Sequence, residues 1–213
     1  MTTFALVHGA WHGGWCWEPV RAELEGLGHV VVAPDLPCED VDAGVEEYVA
    51  AVRDALGGVE DAVVVGHSLG GMTIPRVPAR VHVFLTALVA GTGWDDVFAP
   101  GFGNGRARDE LGRSWYPDPA EAARELQYPP ELAALARRLR RQAPYEPDPF
   151  HPPGPTAYVV CSRDEVIRPA WQRHLARDVL GVEPLELGSG HSPMLERPRE
   201  LAELLLALAR ATK

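Results

Sequence analysis

The sequence predicts one α/β domain built on a doubly wound, mostly parallel sheet of about six strands. Three observations carry that expectation. Short apolar runs rich in β-branched residues recur along the chain, segments with helical periodicity and glycine at their ends lie between them, and 213 residues with 46% hydrophobic positions suffice for one well-filled core but hardly for two.

The apolar runs fall at 4–7, 30–33, 62–65, 81–89 and 157–160, with a weaker one at 184–187. Their lack of in-out alternation is the mark of parallel strands covered on both faces. Helical patterns occupy 18–27, ahead of Gly28, and 45–56, ahead of Gly57-Gly58, with glycine where a helix stops. The C-terminal helix is the clearest: Pro198 opens it, and Leu201, Leu204, Leu205 and Leu208 recur on one face, so it packs. The alternation breaks between Gly91 and Pro155. The chain is therefore divided into a core, 1–90 with 156–213, and an inserted cap, 91–155, in which one helix is expected over 130–142. The basic run Arg137-Arg138-Leu139-Arg140-Arg141 ends that helix, where arginines favour the negative end of the dipole and sit in water.

Composition narrows the ligand. A formal charge of -10 disfavours nucleic acid and anionic membrane surfaces, which carry the same sign; a small, neutral or modestly polar molecule fits better. Cys16, Cys38 and Cys161 are odd in number and widely spaced, and imply neither a disulfide framework nor a metal site. The first residues lack a basic segment and reach His8-Gly9 after a short apolar run, and no run nears membrane-spanning length. The expected location is the cytoplasm. The sequence leaves the oligomeric state open.

Chemistry concentrates at strand ends. In Val63-Val64-Val65-Gly66-His67-Ser68-Leu69-Gly70-Gly71 a buried strand runs into a G-x-S-x-G turn expected to open a helix, the context in which that motif is a nucleophile elbow. Ser68 is the expected nucleophile of an α/β-hydrolase fold. A serine hydroxyl needs a base and a group to orient the base, and in this fold they follow in the order acid, then histidine. Asp164, just after the run at 157–160, is the candidate acid, ahead of Glu165 and of Asp95 or Asp96. His191, in Gly188-Ser189-Gly190-His191-Ser192, is the candidate base. His29, His82, His151 and His174 are read as structural or solvated, and the ring of His67 as turned away from substrate. After the first strand, the glycine-rich loop from His8 to Trp17 is where an oxyanion motif belongs. Ala10 and Leu69 are the expected N–H donors, His8 and His12 brace the loop, and Trp15 and Trp17 pack beneath it.

On the 8–17 loop, the elbow and the segments around Asp164 and His191, the chain resembles the hydroxynitrile lyase and plant methylesterase (salicylate-binding esterase) branch of the α/β-hydrolases and its bacterial esterase relatives. The resemblance implies small ester or cyanohydrin substrates, no cofactor and no metal, and a helical cap shaping an apolar pocket. The lyases of that branch carry threonine where this chain has Gly9 and lysine directly after the histidine, where it has Ser192. Without that cation to hold a leaving cyanide, ester hydrolysis is the expected reaction. Another reaction on the same triad (lyase, carbon–carbon or lactone chemistry) and a ligand-binding, receptor-like role are the alternatives. At about sixty residues the cap is shorter than the plant enzymes'. Trp94, Trp115 and Met194 are expected to line the substrate pocket, with Phe102, Tyr116 and Pro193 as further candidates.

Overall fold

In the computed structural model, which describes residues 1–93 and 96–212, six strands form one sheet in which every pairing is parallel. In chain order the first half contains β1 (Thr3–Val7), α1 (Glu18–Gly26), β2 (Val30–Val32), α2 (Val45–Leu56), β3 (Val63–His67) and β4 (Val81–Leu85). A small antiparallel hairpin, β5 (Ala107–Arg108) and β6 (Ser114–Trp115), and α3 (Pro119–Glu125) follow. The chain then returns to the sheet with β7 (Thr156–Cys161), α4 (Pro169–His174), β8 (Leu185–Leu187), α5 (Pro193–Glu196) and α6 (Pro198–Ala211). The sheet order β2-β1-β3-β4-β7-β8 places β1, β3 and β7 inside the sheet. Their carboxyl ends deliver the three loops that carry His8, Ser68 and Asp164, while the edge strand β8 delivers His191. Ligand sites of open α/β sheets form on that side.

Strand side chains alternate between two hydrophobic layers. Phe4, Leu6, Val63, Val65, Val83 and Leu85 face a layer with Val20 and Leu24 of α1 and Leu201 and Leu205 of α6. Ala5, Val7, Val64, Phe84, Tyr158 and Val160 face the other, with Tyr48, Val49 and Val52 of α2. The period of two meets a cover on both sides, which is why the strand sequences are apolar throughout. Leu204 and Leu208, expected on the inner face of α6, pack against the first layer. The three cysteines are free and buried. Among the described residues no helix is long and apolar enough to cross a membrane.

Four local expectations need correction. The run at 81–89 is not one strand: β4 stops at Leu85 because Thr86 takes φ 38°, a conformation that costs a β-branched residue energy. Past the elbow the chain forms only 3-10 turns, Ser68–Met72 and Ile74–Arg76, because Pro75 and Pro78 deny it the N–H groups of a longer helix. The helix expected over 130–142 is a 3-10 segment, Pro130–Arg138, which ends as Leu139 becomes extended. From there Arg140 N–H donates to Trp11 O and Gln142 pairs with Ser114, so tertiary bonds replace helical ones. The arginine run is correspondingly not left to water. Arg138 pairs with Glu18 at 3.3 Å, Arg140 with Glu39 at 3.3 Å and Arg141 with Asp109 at 2.8 Å. In the stretch that sequence patterns left irregular, Asp118 caps α3 by accepting from the Ala120 N–H.

Candidate active site

The elbow is a steric construction. Ser68 sits at φ 51°, turned sharply out of β3. The chain folds back so closely that a Cβ on Gly70 would lie 2.7 Å from the His8 carbonyl oxygen, so only glycine fits there. Ser68 Oγ reaches His191 Nε2 at 3.2 Å, and His191 Nδ1 reaches Asp164 Oδ2 at 2.8 Å. Asp164 and His191 are buried, with side chains 0% and 2% exposed.

Asp164 is held at both oxygens. Oδ1 accepts from the Val166 and Ile167 N–H groups at 2.6 and 3.0 Å. Oδ2 accepts from His191 Nδ1, from Gln172 Nε2 at 3.0 Å and from the Thr86 hydroxyl. A buried carboxylate with this many donors is stabilised as the anion. The unusual backbone of Thr86 has its cause here, since the turn out of β4 brings that hydroxyl to Asp164. The competing acids have other surroundings. Glu165 is exposed and its N–H donates to Gln127, Asp96 pairs with Arg168 at 3.2 Å, and Asp95 lies outside the described residues.

Three further histidines are buried around the site, all neutral. Leu36 N–H donates to His8 Nε2, and His8 Nδ1 donates to Gly9 O. His12 Nδ1 donates to Ala10 O at 2.8 Å, and the Tyr128 hydroxyl donates to His12 Nε2 at 2.7 Å. His67, behind the elbow, donates from Nε2 to His191 O at 2.8 Å. Burial lowers His8 to about 4 and His12 to about 3, and pushes His67 well below its ordinary value. The unfolded chain takes up these protons near pH 6.5, while the folded chain takes them up only at those lower values. Below about pH 6.5 the unfolded state therefore binds more protons, and stability falls with pH by up to about 1.4 kcal/mol per unit for each histidine. The urea midpoint at pH 5 is expected well below that at pH 7.5; equal midpoints would contradict neutral burial.

A cavity of about 220 Å³ opens onto Ser68 and His191. Leu88, Phe98, Phe102 and Val166 give it an apolar wall, Ala10 and Leu69 stand beside the serine, and Trp11, Tyr145, Arg106 and Arg108 complete it. Among the described residues neither the Ala10 nor the Leu69 N–H donates to a backbone carbonyl outside its own helix or strand. Several expected pocket residues are elsewhere. Trp115 stacks under Arg141, whose Cζ is 4.0 Å from its ring, and Met194 is fully buried in the core beside Leu195. Tyr116 donates to Glu125 at 2.9 Å and packs on Trp11. Phe102 does line the cavity, and Trp94 lies outside the described residues.

Gln127 and Gln172 escaped sequence reasoning. Gln127, at φ 54° just past α3, accepts at Oε1 from the N–H groups of Glu165 at 2.8 Å and His191 at 2.9 Å. Its Nε2 donates to Arg163 O at 3.0 Å. One amide thus ties the Asp164 loop to the His191 loop. Its neighbours extend the tie: Ser192 Oγ donates to Leu126 O at 2.6 Å, and Tyr128 reaches His12.

A parallel sheet with a serine elbow, and with acid and histidine loops on the same edge, defines the α/β-hydrolase class. A family model described as the alpha/beta hydrolase family matches residues 4–204, and the chain belongs to that family. Among curated relatives it is 29% identical to Methylesterase 3 of Arabidopsis thaliana, over 96% of this chain and 94% of that protein. It is also 29% identical to Salicylic acid-binding protein 2 of Nicotiana tabacum, over 97% and 96%. Among solved structures it is similar to a pyrethroid hydrolase from Sphingobium faniae JZ-2, at 27% identity and a TM-score of 0.81, covering 99% and 98% of the two chains. The expected likeness to plant methylesterases and bacterial esterases thus extends over nearly the whole chain.

Proposed function

We propose that the protein is a serine hydrolase that cleaves a small carboxylic ester through an acyl-enzyme, with Ser68 as nucleophile, His191 as general base and Asp164 as the group that orients it. The observation that carries this reading is the continuous chain from Ser68 Oγ through His191 to a buried, five-donor Asp164. His191 Nε2 takes the serine proton as Oγ attacks the ester carbonyl, and the imidazolium is stabilised by the carboxylate at Nδ1. The Ala10 and Leu69 N–H groups stabilise the developing oxyanion. His191 then gives its proton to the departing alcohol and activates the water that releases the acid. His12 serves Ala10 indirectly, because with Tyr128 donating to its Nε2 it donates at Nδ1 to Ala10 O and fixes that peptide's orientation.

Hydrolysis is favoured over the lyase reaction by two positions. Ser192 stands where the lyases of the resembling branch have lysine, and its hydroxyl is turned to Leu126 O. At position 9 a Cβ would lie 2.8 Å from Ser68 Cβ, leaving no room for threonine. Residues 91–155 act in this reading as the cap, supplying Phe98, Phe102, Arg106, Arg108 and Tyr145 to the cavity wall. Turnover on 4-nitrophenyl, methyl-aryl and lactone substrates is the direct test. Hydrolysis of the open-chain esters is expected, and a protein that turns over none of them would contradict the reading.

Gln127 is a positioning residue. Gln127→Ala is expected to lower kcat about tenfold with a smaller change in KM, since the loops lose register while the cavity wall is untouched. A change confined to KM would contradict that role.

A further inference from the structure

Most arginines of this acidic chain have found a carboxylate: Arg80, Arg113, Arg140, Arg141 and Arg173 all pair within 3.3 Å. Arg106 and Arg108 line the Ser68 cavity, and among the described residues neither makes an ion pair. Arg106 is half-buried, a position in which a charge without a partner costs free energy. Its setting is built to hold it there. The Cζ atom lies 5.1 Å from the ring centres of both Trp11 and Phe102, two aromatic faces that orient the guanidinium plane. Gly103, at φ 84°, leaves the space the group occupies, since a Cβ there would lie 1.9 Å from Arg106 Nη2.

Among the described residues only one donor of that guanidinium is used, Nε to Gly103 O at 3.2 Å. Glu125 acts on Arg106 through space, yet its oxygens are taken by the Gly103 N–H at 2.9 Å, the Gly105 N–H at 3.2 Å and the Tyr116 hydroxyl at 2.9 Å. Glu125 thereby fixes the loop that presents Arg106 without filling its donor face. Arg108, exposed, spends Nη1 on Gly112 O at 3.2 Å and adds a second positive charge to the same cavity. Burial lowers the pKa of Arg106, but a guanidinium remains charged. The Nη donors are a fork suited to a planar anion.

We propose that Arg106, supported by Arg108, is a carboxylate-recognition site, and that the substrate is an ester carrying a second, ionised carboxyl group away from the bond cleaved, such as the monoester of a short dicarboxylic acid. This rests on the ester-hydrolase reading. The distal carboxylate is unchanged by the reaction: water adds across the acyl–oxygen bond, and the alcohol leaves with a proton.

The test compares 4-nitrophenyl hydrogen adipate with its neutral counterpart, 4-nitrophenyl methyl adipate, which differs only in the distal group. The wild-type protein is expected to favour the acid-bearing ester by about tenfold or more in kcat/KM, with the preference shrinking as salt is added. Arg106→Met is expected to abolish that preference and Arg108→Met to reduce it partially. A wild-type preference for the neutral ester, or an Arg106→Met variant that slows both substrates by the same factor, overturns the proposal. Calorimetric binding of the hydrogen adipate ester to Ser68→Ala and to Ser68→Ala/Arg106→Met needs no turnover; tighter binding to the first supports the site and equal affinities overturn it. Hydrolysis of both esters without preference would remove this site and leave the esterase reading intact. Binding through Arg106 with no hydrolysis of either ester would do the reverse.

Discussion

Ser68→Ala is expected to lower ester turnover on the order of 10⁶-fold in kcat, the scale on which removing the nucleophile disables a serine triad. The loss should occur in a folded protein. Among the described residues Ser68 Oγ bonds only His191, at 3.2 Å, so its removal leaves no buried group unsatisfied that water in the cavity could not reach. The strained part of the elbow is its backbone, at φ 51°, and alanine pays the same conformational cost there as serine. The urea midpoint of the variant should match wild type. A variant that retains turnover means another nucleophile, and one that unfolds means the serine holds structure.

Asp164→Asn should have a second large effect, with a different signature. An amide presents one acceptor and one donor, and Asp164 is surrounded only by donors. If the new nitrogen takes the Oδ2 position it faces Gln172 Nε2, the Thr86 hydroxyl and His191 Nδ1–H; if it takes the Oδ1 position it faces the Val166 and Ile167 N–H groups. In the first arrangement His191 can relieve the clash only by moving its proton to Nε2, which leaves no base for Ser68. The expected loss is about 10⁴-fold in kcat, with a fall in stability of roughly 2 kcal/mol from the unmatched buried donor. Full stability together with a mild kinetic effect would show that the donor shell is not as tight as the distances state.

The residues that were legible in the sequence are those whose chemistry is tied to a local pattern. Ser68 was legible because its glycines and the strand before it form one short motif, and Asp164 and His191 because each follows an apolar run that the sheet sends to the same edge. The six-strand sheet was legible because both faces are covered, which makes the strands uniformly apolar. Thr86, Gln127 and Gln172 were not, because none of their hydrogen bonds leaves a local signature. Thr86 reaches Asp164 across 78 positions and Gln127 reaches His191 across 64, and the eight positions between Gln172 and Asp164 follow no motif. The cap resisted reading because its order comes from tertiary ties. Arg140 bonds Trp11 O, Gln142 pairs with Ser114, and Glu125 holds the 103–105 loop, so propensity alone extended one helix too far and missed another. Trp115 and Met194 are not separable from pocket residues by sequence, because an aromatic ring can equally stack on an arginine and a sulfur side chain equally fill a core, as Trp115 does with Arg141 and Met194 does beside Leu195.

The central claim is that Ser68 is an activated nucleophile. Incubating the protein with a fluorophosphonate and mapping the adduct by mass spectrometry tests it most directly, since phosphonylation needs a serine deprotonated by its neighbours and independently of which ester is the substrate. The account predicts one adduct, on the peptide containing Ser68, abolished in Ser68→Ala and strongly slowed in His191→Ala. A properly folded protein that takes no label at Ser68, or takes it equally well without His191, would contradict it.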